Sequence, residues 1–330
     1  MKKNLFCMFI MIFLTFCIFC EEIKIMSFNL RGNDSNNRKE NSEWVQAICN
    51  IIIDSKADIV LFQEVCIDLE KRLDTNIFKI SQPNNLLDVF VNYLGSQEWG
   101  YFSTAEYGIR TRVTRNGQQY GYGDKTQNNA ILYNKEKLNA KDWAEMLGFE
   151  TFSGEFLFEK NTVQIIEFSL VEKDSVVAKN NSSVLIGNVH LPYGNKEARY
   201  RDLQTLEKLY AKYKHKYGVI IGGDFNLRRS ELINRNFDFV DGTNSWYFDR
   251  HFGLATTLKN DENAFVFSND YDHFIYNEKI IATTKMERAF IQGRNNSYET
   301  VTIGGISYTD AADYREKISD HIPVIIVIEM

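Results

Sequence analysis

Five segments of the chain end an apolar run on a polar residue that packing alone would not select. Val219-Ile220-Ile221 leads into Gly222-Gly223-Asp224-Phe225-Asn226, which reads as a buried strand, a glycine pair, then an acid and an amide. Residues two apart on an extended strand point the same way, so Asp224 and Asn226 can face one small volume. The same pattern recurs at Asn29, at Glu64, at His190 and at Asp320-His321. A further acid, Asp272 in Tyr271-Asp272-His273, precedes a short apolar run. Ligands in layered α/β folds collect where strands give way to loops.

The chemistry such a set serves is metal-assisted hydrolysis of a phosphate ester. Carboxylate and amide oxygens suit Mg²⁺, with Mn²⁺ or Ca²⁺ as alternatives, because a hard cation takes one or two carboxylates plus substrate phosphate. Histidines supply a base near neutral pH and a proton donor or oxyanion clamp. The metal offsets charge growing on the phosphate and the leaving oxygen. No His/Cys spacing suits structural zinc, and there is no nucleophile elbow, P-loop or dinucleotide fingerprint. Each residue alone also has a structural use: Asn29 or Glu64 as a turn or cap, Asp320 as a cap before Pro323, His190 as a hydrogen-bonded core histidine. The ordered set, each member at a strand end, favours the chemical reading.

These residues need elements to position them. Ile23 to Phe28, Asp58 to Phe62, Trp99 to Ser103, Ala130 to Tyr133, Thr162 to Val171, Val184 to His190 and the Val219 run read as strands. Shorter strands are expected near Ala264–Phe267 and Phe274–Tyr276, and a last one from Pro323 to Ile328. Glu43 to Asp54, Asn84 to Leu94 and Lys196 to Tyr213 carry apolar residues at helical spacing. Strand, helix, strand order at the start points to a layered α/β fold. With 330 residues, three prolines and no Ser/Gly linker, the chain reads as one domain over 21–330.

Residues 1–20 read as a secretory signal: Lys2 and Lys3, an apolar run to Cys20, then Glu21-Glu22. The protein is therefore expected to be secreted or periplasmic, with lipid anchoring through Cys20 or an uncleaved anchor as alternatives. Loss of the leader removes Cys7, Cys17 and Cys20, leaving Cys49 and Cys66, too few for a disulfide scaffold. Whether those two pair is open. Loss of the two lysines takes the net charge from −6 to −8. Acidic balance weighs against packaging of nucleic acid, but not against an enzyme that meets phosphate through metal.

Ser27-Phe28-Asn29, Phe62-Gln63-Glu64, Asn188-Val189-His190, Gly223-Asp224-Phe225-Asn226, Tyr271-Asp272-His273 and Ser319-Asp320-His321-Ile322-Pro323 together resemble the motifs of the endonuclease/exonuclease/phosphatase superfamily, the deoxyribonuclease I-like fold. The resemblance runs from Ile23 to Ile328. It implies a four-layered α/β/β/α sandwich of two mostly antiparallel sheets with helices outside. It implies Glu64 as the principal Mg²⁺ ligand with Asn29 beside it, and Asp224 and Asp320 as further metal-binding carboxylates. It implies His321 as the base for the attacking water, oriented by Asp272 or Asp320, and His190 as the proton donor or phosphate clamp. Asp224 and Asn226 would hold the nucleophile and phosphate oxygens. The substrate implied is a phosphodiester, nucleic acid first, and the protein is expected to act as a monomer.

Three departures concern the substrate. Cys66 stands where the nucleases carry a DNA-gripping Arg after Gln-Glu-Val. Asp124 to Asn128 lacks their Tyr-x-Glu, and Thr162 to Phe168 lacks their Arg. Arg31 does agree with the nuclease pattern. The loop from Tyr107 to Tyr122 carries Arg110, Arg112, Arg115, Tyr120 and Tyr122, which can supply phosphate and base contacts or simply form a solvated surface loop. The basic run at Lys212, Lys214, His215 and Lys216 suits the solvated end of a helix. The alternatives to a nuclease are a phosphatase or sphingomyelinase-like lipid phosphodiesterase of the same superfamily, and an inactive binding protein.

Overall fold

The computed structural model describes residues 21–31, 42–65, 86–104, 113–115, 118–120, 128–142, 163–171, 183–194, 196–228, 230–231, 246–248, 255–259, 267–283, 287–289, 301–303, 306–308 and 310–330. In chain order these form β1 (Glu22–Asn29), α1 (Ser42–Ser55), β2 (Ile59–Val65), α2 (Leu86–Leu94), β3 (Trp99–Ser103), β4 (Val113–Arg115), β5 (Gln118–Tyr120), β6 (Asn128–Asn134), β7 (Leu138–Asp142), β8 (Gln164–Leu170) and β9 (Val184–His190). They continue with α3 (Lys196–Tyr213), β10 (Gly218–Asp224), β11 (Trp246–Phe248), β12 (Asp272–Asn277), β13 (Ile281–Ala282), β14 (Glu287–Arg288), β15 (Val301–Ile303), β16 (Ile306–Tyr308), α4 (Ala311–Lys317) and β17 (Val324–Glu329).

One sheet runs β13-β17-β1-β2-β6-β3, with β14 also on β17; the other runs β11-β12-β10-β9-β8-β7. Each has one parallel pair, β1/β2 and β9/β10, among antiparallel neighbours. The period-two alternation of the strands explains the layering. Ile23 and Ile25 of β1, Leu61 of β2, Ile186 of β9, Ile220 of β10 and Ile326 of β17 meet in the core between the sheets. The intervening residues point outward. Met26, Phe28, Val60 and Phe62 pack against α1, α2 and Tyr314 of α4. Val219, Ile221, Leu185 and Val189 pack against Leu203, Leu206 and Tyr210 of α3. The result is helices, sheet, sheet, helix: an α/β sandwich in four layers.

The expected helices are found, and so are the expected strands other than the one near Ala264–Phe267, with β3, β9 and α3 at their expected bounds. Several elements go beyond the sequence reading, and two of them bear on the site and the layering. β7 follows β6 after a tight turn and pairs with β8, so this short connection carries the chain from one sheet to the other. α4, capped by Asp310, which accepts the Asp313 N–H at 2.7 Å, sits just before the Ser-Asp-His segment. Of the strand expected near Ala264–Phe267, only Phe267 is described, bridging Leu258. Cys49 is a free, buried thiol, and burial pushes its pKa up. Cys66, the leader 1–20, Arg110, Arg112 and Tyr122 lie outside the described residues. Among the described residues no helix is long and apolar enough to cross a membrane.

Candidate active site

The two parallel pairs bring four strand ends to one edge of the sandwich. In one sheet Asn29 is level with Gln63. In the other, Asp224 is level with His190 on one neighbour and with Asp272 on the other, so three functional side chains stand abreast. The backbone is bent to aim them. β2 carries a bulge between Phe62 and Val65, and Glu64 within it has φ +54. A non-glycine residue held in the left-handed region beside a bulge is a costly local arrangement that clusters at functional positions. Asn226 has φ +49, and its N–H closes a turn on Asp224 Oδ1 at 2.8 Å. Gly223 has φ +146, and a Cβ there would lie 2.0 Å from the Val189 carbonyl oxygen. That glycine lets β9 approach β10 closely enough for His190 and Asp224 to share a site.

Asp224 is the hub. Its Oδ2 accepts from Asn29 Nδ2 at 2.9 Å, and lies 3.8 Å from His190 Nε2 and 3.7 Å from His321 Nε2. Asn29 Nδ2 also donates to Glu64 Oε1 at 3.2 Å, and that oxygen is 3.5 Å from His190 Nε2. Burial pushes the Asp224 carboxyl above its ordinary value, against the pull of the His321 charge. On the far side, His321 Nδ1 and Asp272 Oδ2 are 2.9 Å apart. Burial disfavours the His321 cation, but Asp272, then Asp224 and Asp320, overcome it and push its pKa up to about 10. His273 shows the contrasting fate of a core histidine: its Nε2 meets the Leu227 carbonyl at 3.0 Å, and burial lowers its pKa.

A buried amide network locks the two halves of the site together. Asn188 of β9 donates through Nδ2 to the carbonyls of Phe62 and Ala130, at 2.9 and 3.0 Å, across the gap between the sheets. Its Oδ1 accepts from Gln63 Nε2 at 2.8 Å. Gln63 and Asn188 flank Glu64 and His190 in sequence, so their pairing fixes how those two side chains meet. Ser319 Oγ donates to the Asn29 carbonyl at 2.8 Å and accepts from the His321 N–H at 3.1 Å, which docks the last motif.

Around these groups lies a cleft of about 460 Å³, lined by Glu64, Asp224, Asn226 and His321 and, at one end, by Arg31, Arg315 and Asp320. Asp320 Oδ2 stands 3.6 Å from Arg31 Nε and 3.8 Å from Arg315 Nη2. The structure thus brings together Asn29, Glu64, His190, Asp224, Asp272 and His321, and puts Asn226, Arg31 and Asp320 on the surrounding wall. It pairs His321 with Asp272, settling which of the two expected acids touches the ring. Arg115 and Tyr120 fall in the β4/β5 hairpin. Sequence reasoning passed over Arg315, because α4 was not foreseen, and gave Asn188 no role although it stands within a recognised motif. The lysines after α3 lie over tyrosine rings, Lys214 on Tyr210 and Lys216 on Tyr217, as suits a solvated helix end.

The chain matches the family model described as Endonuclease/Exonuclease/phosphatase family over residues 26–321. The chain belongs to this family. Its motifs span both sheets, so the match covers every side chain of the cluster. An endonuclease/exonuclease/phosphatase family protein from Bacteroides thetaiotaomicron is 14% identical, with a TM-score of 0.56, and the match covers 94% of this chain and 98% of that one. A mannosyl-6-phosphatase from Bacteroides thetaiotaomicron VPI-5482 is 15% identical, with a TM-score of 0.55, covering 92% of this chain and 98% of that one. D. rerio TDP2 complexed with single strand DNA product is 13% identical, with a TM-score of 0.51, covering 94% of this chain and all of that one, 100%. At these identities the likeness concerns the fold. No curated protein matches the chain.

Members of the family are phosphoester hydrolases that typically use divalent metals, and the donor set here fits one. Glu64 and Asp224 present carboxylate oxygens to the single Asn29 amide, a place where a small cation would meet both. Asp224, Asp272 and His321 also offer ligand atoms within 4.8 Å of one another. Because Asp272 and His321 already engage each other, that second group reads more naturally as a proton relay, and the Glu64 side as the metal position.

Proposed function

We propose that this protein is a secreted, Mg²⁺-dependent phosphodiesterase that cleaves nucleic acid by in-line attack of water. The observation that carries the reading is the convergence of Asn29, His190 and His321 on Asp224, beside Glu64 and with Asp272 behind His321. Asp272 holds the His321 ring through Nδ1 and leaves Nε2 facing Asp224 and the cleft, where it can accept the proton of an attacking water. His190, across Asp224, is placed to donate a proton to the phosphate or to offset its charge. Asn226 closes the turn that holds Asp224 in place, and its Nδ2 is anchored on the Leu191 carbonyl at 2.8 Å. Arg31 and Arg315 offer guanidinium groups at one end of the cleft, where they can grip phosphate oxygens.

Glu64 and Asp224 would hold the cation, Asn29 would join them by turning its amide so that Oδ1, which here accepts the Arg31 N–H, replaces Nδ2, and Asp320 stands at the rim. When bound, it would offset charge growing on the phosphate and, by its own charge, bring the His321 pKa down from about 10 toward neutral. The leader at 1–20 supports placement outside the cytoplasm.

A second reading, a phosphatase or lipid phosphodiesterase, is favoured by two observations. β8 carries no arginine, and Cys66 replaces the expected groove-binding Arg. A panel of plasmid DNA, RNA, sphingomyelin and small phosphomonoesters, each with Mg²⁺ and with chelator, separates the two. Plasmid or RNA cleavage that requires Mg²⁺ is the expected result. Inert nucleic acid with a hydrolysed lipid or monoester would reverse the order.

A further inference from the structure

Past Asn226 the cleft opens into a second hollow that the hydrolytic chemistry leaves unused. Tyr193, Asn226 and Tyr271 line both hollows, while Arg199 of α3 and Arg228 line the outer one. Arg199 Nη1 donates to the Pro192 carbonyl at 3.0 Å, and its Nε is buried with no acceptor. Arg228 donates through Nε and Nη2 to Asn269 Oδ1, at 2.9 and 2.6 Å. Neutral oxygens therefore hold both guanidinium groups, and among the described residues neither is ion-paired. Arg31 and Arg315, by contrast, share Asp320. Glu231 also lines the outer hollow, but its Oε1 is taken by Lys196 at 2.8 Å and its Oε2 by the Arg228 backbone N–H at 3.1 Å. Tyr193, at the shared rim, is 76% exposed.

Two arginines whose guanidinium groups are paired with no carboxylate, in a hollow where the one acid, Glu231, feels Arg199 but is held by Lys196, match a second phosphate next to a centre that hydrolyses phosphate esters, since a guanidinium binds phosphate through paired N–H···O bonds. An exposed tyrosine between the two positions offers a face to an unstacked base. We propose that this hollow is a second phosphate subsite: it takes the phosphate one nucleotide away from the scissile one in a single-stranded nucleic acid, with the intervening base on Tyr193. The inference rests on the phosphodiesterase reading and adds to it the strandedness and minimal length of the substrate.

The test compares kcat/KM for thymidine dinucleotides with and without a terminal 5′- or 3′-phosphate, with bis(p-nitrophenyl) phosphate as a diester lacking any second phosphate. The expected result is a gain of about 10-fold or more from a terminal phosphate at one end, the equivalent of roughly one strong charged contact. Arg228→Gln should remove most of that ratio, Arg228→Lys should keep part of it, and Tyr193→Ala should lower it for dinucleotides. Equal rates with and without the terminal phosphate, alongside hydrolysis of bis(p-nitrophenyl) phosphate, would overturn the subsite and leave the phosphodiesterase reading intact. A ratio that survives Arg228→Gln would overturn it as well. If a phosphorylated polyol diester shows the same ratio and Tyr193→Ala has no effect, the assignment to nucleic acid is wrong. Binding of thymidine 3′,5′-bisphosphate to the metal-free protein, measured by calorimetry in wild type and Arg228→Gln, reads the subsite without turnover. Binding that the variant weakens at least 5-fold supports the subsite even if no diester is hydrolysed, an outcome that would instead sink the phosphodiesterase reading.

Discussion

Replacing Asp272 by Asn removes one negative charge from behind His321 and changes little else in size. The contact is 2.9 Å between Oδ2 and Nδ1. With charge centres about 4 Å apart and an effective dielectric of about 20, the attraction lost is about 4 kcal/mol, or about 3 pH units at 1.36 kcal/mol per unit. Burial still opposes the cation, and only Asp224 and Asp320 remain to favour it. The His321 pKa in the metal-free protein should therefore fall from about 10 to near neutrality. Long-range ¹H–¹⁵N NMR on histidine-labelled protein reads this directly, with His190 and His273 as internal comparisons. The same change alters the pH dependence of stability. In the wild type the folded chain holds the His321 proton more tightly than the unfolded chain, whose value is near 6.5. The stabilisation is complete below about pH 6.5 and is lost as pH rises through about 10. Thermal melts of metal-free Asp272→Asn should show a much flatter profile across that window. A His321 midpoint within one unit of wild type, or an unchanged melting profile, would refute the electrostatic reasoning. Turnover should fall by about 100-fold or more through the lost orientation of the ring.

Glu64→Ala should abolish the rise in melting temperature that Mg²⁺ produces: at ten times its Kd a bound ion stabilises wild type by about 1.4 kcal/mol, and chelator reverses the effect. Gly223→Ala should cost about 3 kcal/mol or more in denaturant unfolding, because φ +146 and a Cβ 2.0 Å from the Val189 oxygen cannot both be relieved without moving β9. Asn188→Leu should cost about 3 kcal/mol by leaving the Phe62 and Ala130 carbonyls without their donor, and should lower turnover more than a comparable core substitution because Glu64 and His190 lose their common brace. His190→Ala should lower kcat about 100-fold or more while circular dichroism stays that of wild type.

Strand Val184–His190 was legible as a run buried on both faces, and helix Lys196–Tyr213 because burial on one face imposes a helical period on its residues. The strand ends stood out for the opposite reason, since Asn29, Glu64 and Asp224 break an apolar run. Geometry within the site was less accessible. Nothing in the spelling of Asp272 and Asp320 distinguishes the acid that touches His321 from the one that faces Arg31 and Arg315, because the choice depends on how β12 and the segment before β17 meet across sheets. β7 and α4 escaped for local reasons. Leu138–Asp142, Leu-Asn-Ala-Lys-Asp, is a short, largely polar edge strand, and Ala311–Lys317 spans barely two turns. Arg199 and Arg228 carried no signal at all, since a charged residue after a motif is ordinarily a solvated one.

The second sheet, β7 to β12, is one uninterrupted stretch of chain, whereas the first is assembled from strands on both sides of it in sequence. Asn29 and Glu64 therefore wait, early in synthesis, for a His321 that arrives only when the segment before β17 docks through Ser319 on the Asn29 carbonyl. β17 pairs with β1, β13 and β14, so the strand that completes the first sheet is also the one that follows His321 into place. Completion of this phosphoester hydrolase's site thus falls to the last strand of the chain.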